Sequence, residues 1–399
     1  MIILVSELYY PEEISTGYIL TKIAEGLALN YPVQVITGPP DYSGLKDSPK
    51  IEIRNKVKIE RVTARSLNKN KIASRLLRSI LLSFKLMAKT IKLAKKGDTI
   101  FIVTNPAPLL ILMTFVSWLT RTSLVVLVHD VFPENLEAAG ILKSNSFFYR
   151  FLLDIFNLVY KAADHIIVIG RDMEKIMTDK IKSTKPGISL ITNWADTSEV
   201  FPTDRSTNPI IKKFHLENKF IVQFAGNIGR VQGIEHMFKA ALKLEDENIH
   251  FIFIGDGAKK RWLLDQVKKH KLSNVTVLDF MPRKDQQVFL NACDIGLVSL
   301  APGMTGLGVP SKTYNILAAG KPVIAIVDPL SEIGLVVNEE KIGWVVKPSD
   351  INGLILAIRE ASKSQLLGGM GDKARKIAEN KYALELIIQQ YTGAFGPQI

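Results

Sequence analysis

The sequence predicts an α/β protein of two doubly wound, parallel-sheet domains, and three observations predict it. Short apolar runs recur with helical stretches between them, the pattern left by strands joined through crossover helices. The runs fall into two series, parted by Asp196 to Pro209, where clustered Ser, Thr and Asp and two prolines break any apolar period. The length, 399 residues, supplies two or three domains at roughly 150 residues each. Two such domains facing each other set strand C-termini and helix N-termini around one cleft, where ligands of open α/β sheets bind.

The first series runs Ile2 to Val5, Val33 to Thr37, Thr99 to Val103, Leu124 to Val128, His165 to Ile169 and Ile188 to Ile191. Its first member follows Met1 directly, with no basic n-region or small-residue cleavage site, which predicts a buried strand, no signal peptide and a cytosolic chain. Thr99 to Thr120 is the longest uncharged stretch. Asn105, Pro106 and Pro108 interrupt it, which predicts strand, loop and helix in place of a membrane span. The second series runs Phe220 to Phe224, His250 to Ile254, Val275 to Leu278, Ile295 to Val298, Pro322 to Ile326 and Gly343 to Val345. Asp372 to about Tyr391 reads as one polar-apolar helix, and Gly393 to Ile399 as a frayed end. The domains so drawn are 1–200 and 201–375, with a C-terminal helix, 376–399, packing back on the first.

Hydrophobic residues at 47% and charged residues at 23% are ordinary globular usage and exclude long disorder. A single cysteine, Cys293, excludes an intramolecular disulfide and a Cys-rich metal cluster. The net charge of +12 favours anionic partners: phosphates, nucleic acid or a lipid surface. Nucleic acid is not expected, because no binding fold or interleaved aromatic platform is recognisable. From Arg65 to Lys96 the chain carries Arg65, Lys69, Lys71, Arg75, Arg78, Lys85, Lys89, Lys92, Lys95 and Lys96 and no acid, with Ile72, Leu76, Leu77, Ile80, Leu81, Phe84, Met87 and Ile91 at helical spacing. Two readings stand side by side: a basic amphipathic helix on an anionic bilayer, or a core-packing helix with a solvated basic face.

Three segments carry candidate chemistry. Gly226-Asn227-Ile228-Gly229-Arg230-Val231-Gln232-Gly233 is a glycine-punctuated turn from a strand into a helix. Its amides can approach an anion while Arg230 adds a charge-assisted contact, or it is a plain tight turn; Gly255-Asp256-Gly257 has the same ambiguity. In Gly306 to Pro322, Ser311 reads as an N-cap and Gly320 as the residue closing the helix. Lys312 then falls in the first turn, where the helix dipole disfavours a cation unless a phosphate occupies the site, or it is an exposed, solvated lysine. His129-Asp130 ends an apolar strand, where His129 can bind a substrate hydroxyl or move a proton with Asp130 orienting its ring, or is simply structural. Trp194 reads as packing at the domain junction.

Taken in order over essentially the whole chain, these segments resemble a family 4 glycosyltransferase of the GT-B fold, closest to bacterial surface-polysaccharide transferases of the fucosamine-transferase and colanic-acid type. Ser6-Glu7-Leu8-Tyr9-Tyr10-Pro11, Ser15-Thr16-Gly17, His129-Asp130, Asn193-Trp194-Ala195-Asp196, the Gly226 loop, Gly255-Asp256-Gly257 and the Pro310 to Pro322 helix carry the likeness. The resemblance implies two Rossmann-like domains and a retaining transfer without cofactor or metal. The donor is a UDP-type nucleotide sugar, with N-acetyl-L-fucosamine or a related amino or deoxy sugar as the group moved. The resemblance further implies a polyprenyl-diphosphate-linked saccharide of O-antigen or capsule synthesis as acceptor and an enzyme peripheral on the inner face of the membrane. It implies donor-side roles for Gly226, Asn227, Gly229, Gly255, Asp256, Gly257, Met281, Pro310, Ser311, Thr313, Asn315 and Glu332, with His129, Lys312 and Arg230 acting on the reacting groups. Ser15, Thr16, Gly17, Tyr18, Asp41, Tyr42 and Asp130 border the acceptor.

The chain departs from that family pattern. Leu307 and Asn315 stand where it has two glutamates, so the ribose contact falls to the Asn315 amide. Asn227 and Gln232 stand where it has a phosphate-binding Arg and Lys, which leaves Arg230 and Lys312 as the available cations. Two other readings accompany this one: a non-hydrolysing nucleotide-sugar epimerase, and a catalytically silent sugar-binding protein.

Overall fold

The computed structural model describes residues 1–40, 48–63, 72–182 and 185–396. The chain forms two compact units: Met1–Thr192 with Gly306–Gly308 and the segment from Ile387 onward, and Asn193–Thr305 with Val309–Leu386.

The first unit runs β1 (Ile2–Ser6), α1 (Ser15–Leu27), β2 (Val33–Thr37), β3 (Ile51–Arg54), β4 (Val57–Arg61), α2 (Ile72–Leu93), β5 (Thr99–Val103), α3 (Ala107–Thr120), β6 (Ser123–Val128), α4 (Glu134–Ala138), α5 (Phe147–Lys161), β7 (His165–Val168), α6 (Arg171–Ile181) and β8 (Gly187–Leu190). Its sheet has the order β3-β4-β2-β1-β5-β6-β7-β8, parallel except at β3. β1, β2, β5 and β6 are apolar on both faces and buried, as a sheet covered on both sides requires. The chain moves outward from β1 and then returns to β5 on its other flank, so the order reverses between β1 and β5.

The second unit runs α7 (Pro209–Lys213), β9 (Phe220–Ala225), α8 (Ile234–Lys243), β10 (Ile249–Ile254), α9 (Lys260–His270), β11 (Val275–Leu278), α10 (Gln286–Phe289), β12 (Ile295–Ser299), α11 (Lys312–Ala318), β13 (Val323–Ile326), α12 (Glu332–Glu340), β14 (Gly343–Val346), α13 (Ile351–Lys363) and α14 (Leu367–Lys381); α15 (Leu384–Ala394) follows. The sheet order is β11-β10-β9-β12-β13-β14, all parallel, with its reversal between β9 and β12. β9 pairs with β10 along its whole length. With β12 it pairs only at Val222 and Gln223, so the two strands separate toward their C-terminal ends and open a crevice there.

Several expectations need correction. The hairpin β3–β4 goes unread in the apolar runs because its outer strand lies exposed at the sheet edge. Its signal is a period of two, Ile51, Ile53, Val57 and Ile59, around Asn55-Lys56, both at positive φ as a two-residue hairpin turn requires. The C-terminal helix is two helices, broken at Tyr382-Ala383, where the Ala195 amide donates to the Tyr382 carbonyl and Ala195 bridges Ala383. That pairing also draws Asn193 to Val200 into the second unit, ahead of the boundary at 200. Ser311 is already in helical backbone conformation and makes no capping bond; the Pro310 carbonyl instead accepts from the Thr313 amide and hydroxyl. Gly320, at φ +65°, does close α11, with the Gly320 and Lys321 amides returning to Leu317 and Ile316. Trp194, two residues past the boundary between the units, is buried with its indole donating to Asp196.

α2 packs on α3 and over β1 and β2 through residues such as Leu82 and Leu86, while Leu77, Leu81 and Phe84 face outward beside Lys85. The apolar side of the basic run is therefore not all turned to the core. Arg65, Lys69 and Lys71 lie outside the described residues.

Candidate active site

In the second unit, the crevice at the end of β9 is framed by backbone. The Gly226 amide donates to the Ile254 carbonyl, the Ile228 amide to the Asp256 carbonyl, and the Lys259 amide to the Ile228 carbonyl, which ties the β9–α8 and β10–α9 loops together. Gly255, at φ +146°, makes this possible: a Cβ there would lie 1.9 Å from the Gly226 carbonyl oxygen. Gly257 meets the Ile228 carbonyl and Asn227 in the same way, and Gly229 is flanked by the side chains of Asn227 and Gln232. Asp256 is exposed and accepts the Gly257 amide at 2.8 Å. Arg230 is exposed at the loop's tip and has no carboxylate partner among the described residues.

Lys312 enters this crevice from α11. Its Nζ sits 3.5 Å from the centre of the Phe224 ring, and a Cβ on Gly226 would lie 3.4 Å from it. Among the described residues no carboxylate pairs with it. Burial lowers its pKa to about 7, because the ammonium loses water and gains only a ring face in return. An uncompensated ammonium beside backbone amides is a ready partner for a diphosphate.

Other donor-side residues are engaged elsewhere. Asn315 is buried: its Oδ1 accepts the Asp196 amide at 2.8 Å, and its Nδ2 donates to the Asp196 carboxylate at 3.1 Å and to Gln286 at 2.9 Å. Asp196 is paired in turn with Arg283. Both ends of the Asn315 amide are thus bonded within the second unit. Thr313 is buried with its hydroxyl on Pro310, and Met281 packs against the core. Glu332 is buried in the first turn of α12, which Ser331 caps. Arg283 and Phe224 are residues that motif reasoning missed, and Asp196 stood in the Asn193 to Asp196 motif without a role. Phe224 had a signal in its place just before the glycine loop, and Arg283 had none.

The first unit contributes a second cluster, at the end of β6. The amides of His129 and Asp130 both donate to the buried Thr104 hydroxyl, 3.2 Å away, which fixes the strand end. The His129 ring nitrogen Nε2 is buried with no hydrogen-bond partner among the described residues, and burial lowers the ring pKa to about 4, so the ring is neutral near pH 7. Asp130 does not bond that ring, and burial raises its carboxyl pKa to about 6. The Gly306–Gly308 segment lies on this strand end, with the Val131 amide donating to the Leu307 carbonyl and the Gly306 amide to Asp172. Leu307 is buried there as an apolar anchor. Ser15, Thr16 and Tyr18 lie at the start of α1, exposed or half-buried, and Gly17 packs on the Glu12 carbonyl. Asp41 and Tyr42 lie outside the described residues.

Two parallel Rossmann-like sheets in one chain, each with its glycine turn or charged strand end at the β C-termini, define the GT-B type of glycosyltransferase fold. HepE of Anabaena, solved in complex with UDP, shares that fold at a TM-score of 0.73 and 16% identity, over 98% of each chain. The profile of the family described as glycosyl transferases group 1 matches residues 207–384. WbjE of Pseudomonas aeruginosa, named as a glycosyltransferase, is 35% identical across 99% of this chain and 98% of its own. The colanic acid biosynthesis glycosyl transferase WcaI of Escherichia coli K12 is 27% identical over 57% of this chain and 56% of its own. The chain belongs to the group 1 glycosyltransferases. The epimerase and silent-binder readings of the sequence give way to that membership.

Proposed function

We propose that the protein moves a sugar from a UDP-linked nucleotide sugar to a polyprenyl-diphosphate-linked saccharide, at the cytosolic face of the membrane, in assembly of a bacterial surface polysaccharide. The name of WcaI supports the polysaccharide role, and UDP in HepE supports the nucleotide. An amino or deoxy sugar such as N-acetyl-L-fucosamine is the group transferred.

The observation that carries this reading is Lys312, a half-buried lysine without a carboxylate partner among the described residues, its ammonium held over Phe224 beside Gly226. As the glycosidic bond breaks, charge collects on the leaving diphosphate, and a preorganised cation stabilises that state more than the bound donor. Lys312, Arg230 and the loop amides thereby do the work without a metal. The neutral His129 ring offers Nε2 to a sugar hydroxyl. Retention follows from departure and attack on one face of the sugar, which requires no protein nucleophile. The test is a panel of UDP- and GDP-sugars with a lipid-linked acceptor, read by mass spectrometry. A product heavier by one sugar is expected with a UDP donor; transfer from GDP-sugars alone, or none to a lipid-linked acceptor, refutes the reading.

A further inference from the structure

Helices α2, α3 and α5 are neighbours on one face of the first sheet, and their outer surfaces are apolar where a solvated layer is polar. α3 has no charged residue in its whole length. Its sheet side buries Leu109, Leu110, Met113 and Val116, yet its outer side presents Phe115, Trp118 and Leu119, with Trp118 75% exposed. A helix apolar all round is covered on all sides in its working state. α3 spans only about 21 Å at 1.5 Å per residue, short of the roughly 30 Å of a bilayer core, and no helix among the described residues is long and apolar enough to cross a membrane. Phe147, Phe151 and Leu158 continue the surface along one side of α5, Phe147 being 86% exposed.

The charge around these residues selects the cover. The three helices contain five Lys or Arg from α2, of which Lys89 pairs with Glu60, and two from α5, against one acid of their own, Asp154. Lys85 and Lys92 lie exposed on α2, Arg121 at the end of α3, and Arg150 and Lys161 on α5. A protein interface is depleted of lysine at its core, whereas aromatic side chains flanked by cations match the acyl boundary and headgroups of an anionic bilayer.

We propose that the outer face of α2, α3 and α5 seats this enzyme in the headgroup layer of an anionic membrane, with Phe115, Trp118, Phe147 and Phe151 reaching the acyl boundary. The proposal rests on the lipid-linked acceptor read above and names the surface that meets it. The full chain is mixed with phosphatidylglycerol-containing or pure phosphatidylcholine vesicles, with and without brominated acyl chains. Trp194 is buried and Trp262 and Trp344 are half-buried, so quenching by bromolipid is expected from Trp118 and is lost in Trp118→Phe, which still binds. Phe115→Ser with Trp118→Ser, and Phe147→Ser with Phe151→Ser, each weaken binding to anionic vesicles by about tenfold or more. Transfer to a short-chain, water-soluble acceptor is unchanged in all of them. Unquenched Trp118, or undiminished binding by both double variants, overturns the proposal. So does a dimer in ultracentrifugation that the same variants dissolve, without vesicle binding; that result assigns the face to a second copy. Vesicle binding as described, with no sugar transfer to any acceptor, upholds the surface and refutes the function instead.

Discussion

Asn315 and Asp196, 119 positions apart, hold each other by two hydrogen bonds: the Asp196 amide donates to Asn315 Oδ1 at 2.8 Å, and Asn315 Nδ2 donates to the Asp196 carboxylate at 3.1 Å. Arg283 pairs with the same carboxylate, so the group closes on itself inside the second unit. Asn315→Ala is expected to cost about 1 to 3 kcal/mol of stability, the range for leaving a buried partner unpaired, while UDP affinity changes little. Denaturant unfolding and calorimetric UDP titration measure the two effects; a large loss of UDP affinity without loss of stability would return Asn315 to the donor site.

Lys312→Ala should lower kcat/KM by about 2 to 4 kcal/mol, the range for removing one preorganised donor to a developing charge, with a smaller loss in nucleotide affinity. Steady-state kinetics on a UDP-sugar decides it, and an unchanged kcat/KM shows that the lysine is not at the chemistry.

The burial of Lys312 also makes nucleotide binding pH-dependent. Its pKa is about 7 in the free protein, and an adjacent diphosphate raises it, so UDP binding takes up a proton above that value. Affinity should be full below pH 7 and fall as pH rises through 7. Lys312→Arg, which keeps its charge, should flatten this dependence while restoring turnover only in part. UDP titrations at pH 6 to 9 in buffers of differing ionisation heat test both; a flat wild-type profile removes Lys312 from the diphosphate.

Asp130 has its pKa raised by burial to about 6 from 3.8. Ionisation therefore favours the unfolded chain, and stability falls as pH rises from about 4 to 6, then stays offset. Asp130→Asn is expected to melt higher than wild type at pH 8 and at the same temperature near pH 3.5. Equal melting temperatures at pH 8 would show that Asp130 is solvated.

His129→Ala should reduce turnover by about tenfold or more with little change in UDP affinity. Because its ring is neutral near pH 7, the acid limb of the rate profile above pH 5 should survive the substitution. Wild-type turnover makes His129 structural.

Apart from β4, the parallel strands of both sheets are legible because each is an apolar run bounded by turn residues, and in the inner strands burial on both faces leaves little room for other patterns. The β3–β4 hairpin escapes a search for such runs, since an edge strand alternates. In the site, Lys312 stands out by its type at an unfavourable position, but the Phe224 face beneath it is visible only in the fold. Asn315 is the opposite case. Its motif position suggests a ligand, and nothing local reveals that Asp196 occupies its amide. Thr104 has no signal at all: a threonine after a strand is ordinary until two amides from the next strand converge on it.

Three residues, Gly306–Gly308, lie in the second half of the chain yet belong to the first unit, as does the segment from Ile387 onward. The first unit is therefore not a length of sequence but an assembly of three. A fragment ending at Thr192 lacks Leu307 and exposes the strand end carrying His129. Exchange of halves between related transferases at one crossover would join the His129 strand of one parent to the Leu307 loop of the other, so productive recombination must bring that tripeptide along or accept a mismatch at this spot.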